Sequence, residues 1–185
     1  GNGNTVAIGA GNNDGNGTGS GQVRVFDWDD SVWVQRGADI DGEEGRSFGW
    51  LTHISEDGNA IIAFSNGKYL PPPYERWENP YFRVFTWDGN NWVKRGSNFE
   101  LKRCDSFLES ISNNANTVAI LQTRDPGSNC QDYDYFLRTY DWNGSDWVQR
   151  GGDIEVPASI WSSWNQRIQI SISGDGNVVS VTDPP

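Results

Sequence analysis

Residues 21–40, GQVRVFDWDDSVWVQRGADI, return as YFRVFTWDGNNWVKRGSNF at 81–99 and as YFLRTYDWNGSDWVQRGGDI at 135–154. In Val23-Arg24-Val25-Phe26-Asp27-Trp28 an extended backbone puts Arg24, Phe26 and Trp28 on one face and Val23 and Val25 on the other. Four turn-forming residues follow, Asp29 to Val32, replaced later by Asp88-Gly89-Asn90-Asn91 and Asn143-Gly144-Ser145-Asp146. Trp33-Val34-Gln35-Arg36 then runs back, giving a hairpin with a tryptophan on each side of its turn. Trp28 with Trp33, Trp87 with Trp92 and Trp142 with Trp147 account for six of the ten tryptophans, and the commonest role of such rings is packing.

A second block accompanies the first. GNGNTVAIG at 1–9 returns as EDGNAIIAF at 56–64, NNANTVAIL at 113–121 and GDGNVVSVT at 174–182. Its shared asparagines, Asn4, Asn59, Asn116 and Asn177, lie 55, 57 and 61 residues apart. The block gives a short apolar strand, and Phe48 to Ile54 gives another ahead of it. That makes about four strands per repeat, with no helical period. The expectation is an all-β, β-propeller-like array of three four-stranded repeats, roughly 1–55, 56–112 and 113–173, plus an extra terminal strand at 174–185. Together they read as a single β-repeat domain over 1–185. A β-sandwich or a β-solenoid is the alternative.

Composition narrows the function. The 185 residues carry 25 Asp and Glu against 14 Lys and Arg, a formal net charge of -11. So acidic a surface repels phosphate backbones and anionic headgroups, which argues against nucleic-acid and membrane-surface partners. The longest apolar run, 60–64, falls far short of the roughly 20 residues that span a bilayer, and the expectation is a soluble chain without membrane insertion. The first residue is Gly and no Met occurs, consistent with a processed or excised chain. A single His, His53, cannot build a multi-His zinc site, and two Cys are too few for a zinc cage.

Ser47-Phe48-Gly49-Trp50, then Ser55-Glu56-Asp57-Gly58-Asn59, and Ile8-Gly9-Ala10 at the end of the first strand resemble FG-GAP repeats. These are the propeller blades of integrin α subunits and of many secreted repeat proteins. The WDGNNWVKRG hairpin is similar to those of long arrays in microbial and algal surface proteins. The Phe-Gly pair is intact once; its counterparts are Phe107-Leu108 and an unclear match near Trp164. The resemblance implies an extracellular or cell-surface protein that binds or adheres, without catalysis.

Such repeats often hold calcium in a DxDxDG loop. Asn12, Asp14, Asn16 and Gly17 match that spacing with a single carboxylate, so a cation would be held weakly, and a Gly- and Asn-rich surface loop is the plainer reading. Asn16 and Asn143 each begin an N-glycosylation sequon in an expected turn. In an extracellular chain Cys104 and Cys130 would pair as a disulfide; two buried thiols are the alternative.

Catalysis has little support. His53 sits in an apolar strand without a nucleophile elbow, where a packed strand histidine is the expected role. The acidic pairs Glu43 and Glu44, and Asp132 and Asp134, read as solvated surface rather than glycosidase carboxylates. Trp50 and Trp77 are candidates to line a blade. Trp161 and Trp164 are candidates for stacking on sugar rings, with packing between blades as the bland reading. Tyr69-Leu70-Pro71-Pro72-Pro73-Tyr74 reads as a stiff exposed insertion.

Three repeats are fewer than a closed propeller needs, and the closing block copies the opening one. Strands Asn4, Val6, Ile8 and Asn177, Val179, Val181 are therefore expected to pair with other copies of the chain, head to tail, as a filament or multimer. The expected protein is a non-enzymatic, structural or adhesive extracellular glycoprotein. Its partners are copies of itself, with glycans or cell-surface proteins as further candidates. A lectin-like sugar-binding module, or a piece of a larger adhesion propeller, is the alternative.

Overall fold

The computed structural model describes residues 3–101, 107–124, 134–156 and 169–182. Among these the chain forms strands and turns and no helix. It divides into two compact units, Gly1–Arg103 and Cys104–Pro185.

In the first unit, β1 (Thr5–Gly9), β2 (Gln22–Trp28) and β3 (Trp33–Gln35) form an antiparallel sheet in that order, with β4 (Ile40–Asp41) also on β2. Then come β5 (Thr52–Ile54), β6 (Ala60–Ser65), a small hairpin of β7 (Lys68–Leu70) and β8 (Arg76–Glu78), β9 (Tyr81–Trp87), β10 (Trp92–Lys94) and β11 (Phe99–Glu100). The second sheet runs β10-β9-β6-β5, with β11 on β9. Register repeats with sequence: Val6 faces Phe26, and its counterpart Ile61 faces Phe85. Trp28 lies opposite Trp33 and Trp87 opposite Trp92, ring centroids 5.4 Å apart in each pair.

The two sheets share a core. Val23, Val25, Ile40 and Phe48 of repeat one pack with Ile61 and Ala63 of repeat two. All six residues of β6 are buried, and the first five, Ala60 to Phe64, are one apolar run rather than an alternation, as a strand covered on both faces should be. Burying each Val, Ile or Phe stabilises by about 1.5–3 kcal/mol.

The expected strand at 48–54 shortens to Thr52–Ile54, because Ser47 (φ 46°) and Gly49 (φ 81°) are left-handed and turn the chain. Phe48 is thereby driven into the core, edge-on to Phe85 at 6.0 Å. The proline insertion is exposed and forms the tip of a hairpin, with Tyr69 opposite Trp77 and Tyr74 N donating to Pro71 O at 3.1 Å.

The second unit repeats the plan. β12 (Phe107–Ile111), β13 (Thr117–Arg124), β14 (Asp134–Trp142) and β15 (Trp147–Gln149) form a sheet in that order, with β16 (Ile154–Val156) on β14. β17 (Gln169–Ile172) and β18 (Val179–Thr182) make a two-stranded sheet. Ala119, Leu121, Leu137 and Ile170 form its core, with Val179 and Val181 packed against it. Each of the three larger sheets carries a short extra strand (β4, β11 or β16), and the second repeat also holds the β7–β8 hairpin. The architecture is all-β and antiparallel, and none of the sheets closes on itself.

Candidate functional site

The feature that recurs with most chemical detail is the seam where one repeat meets the next. Arg36, just after β3, places Nε 2.5 Å from Asp27 Oδ2, and Asp27 Oδ1 accepts from Thr5 Oγ1 at 2.8 Å. The same guanidinium donates through Nη1 to Gly58 O at 2.8 Å and to Asn59 Oδ1 at 3.2 Å. Repeat one therefore grips the first turn of repeat two. That turn is closed by Asp57, whose Oδ1 accepts from Ser55 Oγ at 2.6 Å and Asn59 N at 2.9 Å. A Cβ on Gly58, itself at φ 73°, would stand 2.8 Å from Thr5 Oγ1, so the approach needs glycine.

The second unit carries the same seam. Arg150 Nε and Nη2 donate to the two oxygens of Asp141 at 2.7 and 2.6 Å, Thr117 Oγ1 donates to Asp141 Oδ1 at 3.0 Å, and Arg150 Nη1 reaches Gly176 O at 2.8 Å. Ser173 and Asn177 close the turn on Asp175 as Ser55 and Asn59 do on Asp57. The Arg150 guanidinium holds the Asp141 carboxyl below its ordinary value. Hydrogen bonds from Ser173 and Asn177 push Asp175 down to about 2. In sequence, Ala60, Thr86 and Ala115 stand where this set would have Thr, Asp and Gly at the intervening step.

A ring contact completes the seam in the first unit. Trp92 Nε1 donates to Arg36 O at 2.9 Å, and Arg36 lies 5.8 Å from the centroid of the Trp87 ring. A Cβ on Gly37 would come within 2.7 Å of Trp87. The tryptophan pair of repeat two is thus seated on the Arg36-Gly37 turn of repeat one. The equivalent surfaces elsewhere are open: Trp28 and Trp33 are 39% and 44% exposed, and a Cβ on Gly151 would meet nothing within 4 Å. No family model, curated protein or solved structure matches the chain.

The residues singled out in the sequence fall as follows. Val6 and Ile8 lie in β1, Ile8 being exposed, and Asn4 O accepts from Trp28 N at 2.8 Å. Val179 and Val181 lie in β18, and Asn177 in the turn before it. Among the described residues, no strand pairs with β1 on the side away from β2, nor with β18 on the side away from β17. In the loop 10–21, Asp14 Oδ1 accepts from Gly19 N at 2.6 Å and Asn16 Nδ2 donates to Gly42 O at 2.8 Å; Asn12 is exposed. No group of three or more His, Cys, Asp or Glu able to hold a metal occurs among the described residues. Asn143 caps its hairpin turn, Oδ1 accepting from Ser145 N and Asp146 N at 2.9 and 3.0 Å. His53 lies opposite Ile62, Trp50 is exposed and Glu43 pairs with Arg83. Cys104, Cys130, Asp132, Trp161 and Trp164 lie outside the described residues.

Three features escaped the sequence reading. The seam triad itself was one; its signal was the Arg-Gly that ends every hairpin copy, at 36–37, 95–96 and 150–151. Glu109, buried in β12, has its carboxyl pushed up to about 8 by burial. The third is a buried polar cluster around Arg46 and Tyr81.

Proposed function

We propose that this chain is a non-enzymatic structural repeat protein of propeller type, extracellular and adhesive in use, that assembles head to tail with copies of itself. The observation that carries this reading is the reuse of one seam. The same Thr, Asp and Arg grip the next Asp-Gly-Asn turn at two places, so the surface of a repeat is built to receive another repeat. The exposed Trp28–Trp33 pair and the open Arg150-Gly151 turn are the two halves of the ring contact already made between Trp87, Trp92 and Arg36-Gly37. Supplied by two chains, they complete it.

Strand pairing follows the same logic. β1 and β18 are copies of one strand, so an incoming β1 takes the place of β18 beside β17, with Ile172 facing Val6 as Ile54 faces Ile61. The paired edges give main-chain hydrogen bonds, and the tryptophan contact fixes register. The test is light scattering across a concentration series of the purified chain, beside the double variant Trp28→Ala, Trp33→Ala. Assembly by the parent and its loss in the variant support the reading; a parent that stays monomeric at micromolar concentration refutes it.

A further inference from the structure

Of the Asn-Gly pairs in the chain, at 2–3, 16–17, 66–67 and 143–144, the last lies at the tip of the β14–β15 hairpin and belongs to no seam. Such a pair carries its own chemistry. The glycine nitrogen follows the asparagine amide by few enough atoms to close a five-membered ring on it, and the missing Cβ lets the peptide plane turn toward that attack. A fold permits or blocks the reaction through three things: access to the glycine nitrogen, polarisation of the side-chain carbonyl, and freedom of the amide nitrogen to leave. Asn2 lies outside the described residues.

At Asn143 all three favour it. Oδ1 accepts from Ser145 N and Ser145 Oγ at 2.9 Å each and from Asp146 N at 3.0 Å. Two of those donors are backbone N–H groups, which fixes the accepting atom as the oxygen and turns Nδ2 away. Three donors on one carbonyl oxygen draw charge from Cγ and stabilise the oxyanion that forms when a nucleophile adds there. The turn's main-chain bond runs from Asn143 N to Asp146 O at 3.1 Å, so Gly144 N is not drawn into it. Asn143, Gly144 and Ser145 are exposed, and a Cβ on Gly144 would meet nothing within 4 Å. The other two described pairs are held. Gly17 N donates to Asp14 O at 3.2 Å while Asn16 Nδ2 donates to Gly42 O at 2.8 Å, engaging nucleophile and leaving group together. A Cβ on Gly67 would stand 2.8 Å from Glu78 O, so the 66–67 peptide has little room to turn against β8.

We infer that Asn143-Gly144 is a self-modifying site, where the folded hairpin of the unglycosylated chain converts its own asparagine to aspartate and isoaspartate through a cyclic imide. Gly144 N attacks Asn143 Cγ and gives its proton to water; the Cγ–Nδ2 bond then breaks, and the nitrogen takes a proton from water and leaves as ammonia. Water opens the ring at Cγ to give aspartate, or at the main-chain carbonyl carbon of residue 143 to give isoaspartate, with nothing oxidised or reduced. The aspartate product fits the turn as built, because Asp88-Gly89 already holds the same place in the preceding hairpin: Asp88 Oδ1 accepts from Asn90 N and Asn91 N at 2.8 and 2.7 Å, and Gly89 and Gly144 share φ 102°. Isoaspartate lengthens the main chain by a methylene and breaks the turn. Either product deletes the sequon that starts at Asn143, and a glycan on Nδ2 would in turn block the reaction.

The test is peptide mapping by mass spectrometry, with isoaspartate detection, of chain made in a host that adds no glycan. The folded chain is incubated at mildly alkaline pH beside the same chain in guanidinium chloride. In the folded chain Asn143 is expected to convert faster than Asn16 and Asn66 by about tenfold, the effect of one hydrogen bond on a rate, and in denaturant the three rates should draw together. Ser145→Ala removes one donor to Oδ1 at an exposed position and should slow Asn143 while leaving the other two unchanged. An Asn143 that stays intact in the folded chain, or converts no faster than Asn16 or Asn66, overturns the inference. So does a Ser145→Ala chain that converts at the parent rate, because the dipeptide without its turn would then set the reaction.

Discussion

Arg36 shows how a single residue can do two things at a seam: it neutralises Asp27 within its own repeat and caps a carbonyl of the next. Hydrogen bonds to a charged partner contribute about 1.5–3 kcal/mol each, less where solvent reaches them. Arg36→Ala should therefore cost about 2 kcal/mol in urea unfolding, and Arg36→Lys should recover less than half, because an ammonium cannot serve both partners in one plane. The acid limb belongs to the same seam. Asp175 titrates at about 2 in the fold and near 3.8 when unfolded, so its contribution is complete above pH 4 and disappears as pH falls toward 2. Asp175→Asn should flatten that part of the stability curve. Glu109 works in the opposite direction. Held at about 8 by burial, it stays protonated while the unfolded chain ionises from about 4.5, so stability declines between those values by about 1.4 kcal/mol per pH unit and levels off above 8. Glu109→Gln should abolish the decline, as measured by thermal melts across that range. Of the two sequons, Asn143 keeps its amide nitrogen clear of the Asx turn, whereas Asn16 Nδ2 is engaged by Gly42 O. Secretion from a glycosylating host should give a glycan on Asn143 and none on Asn16, read by mass before and after enzymatic deglycosylation.

The hairpins are the elements that carry the seam, and they were legible. Alternation in Val23 to Trp28, a four-residue turn and a tryptophan on each side suffice to specify a local antiparallel pair, because nothing distant decides it. The strand at 48–54 was overread. Its shortening depends on Ser47 adopting φ 46°, which serine does not advertise, and on the core position that Phe48 fills once the chain has turned. The proline insertion is exposed as its sequence suggests, but the strands that flank it are not legible there: Lys68 to Leu70 and Arg76 to Glu78 are too short to show alternation, and their pairing is settled by each other. Arg46 and Glu109 were invisible because burial is a tertiary property. At this scale Trp92 is the decisive ring. Trp92→Ala should destabilise by about 3 kcal/mol, and Trp92→Phe by a smaller amount that isolates the bond to Arg36 O, both read by chemical denaturation.

Over the whole molecule, the repeats were visible in the spacing of Asn4, Asn59, Asn116 and Asn177, and the all-β class followed from them. The placement of the seam was not, because it joins residues from four segments that only the fold brings together. Of the three steps from one repeat to the next, two are closed by the same ion pair and turn. The proposed head-to-tail assembly uses the exposed Trp28–Trp33 pair and the open Arg150-Gly151 turn. Electron microscopy of the purified chain tests this most directly. The account predicts filaments or closed multimers that vanish when Trp28 and Trp33 are both replaced by Ala; a field of single monomeric particles from the unaltered chain would contradict it.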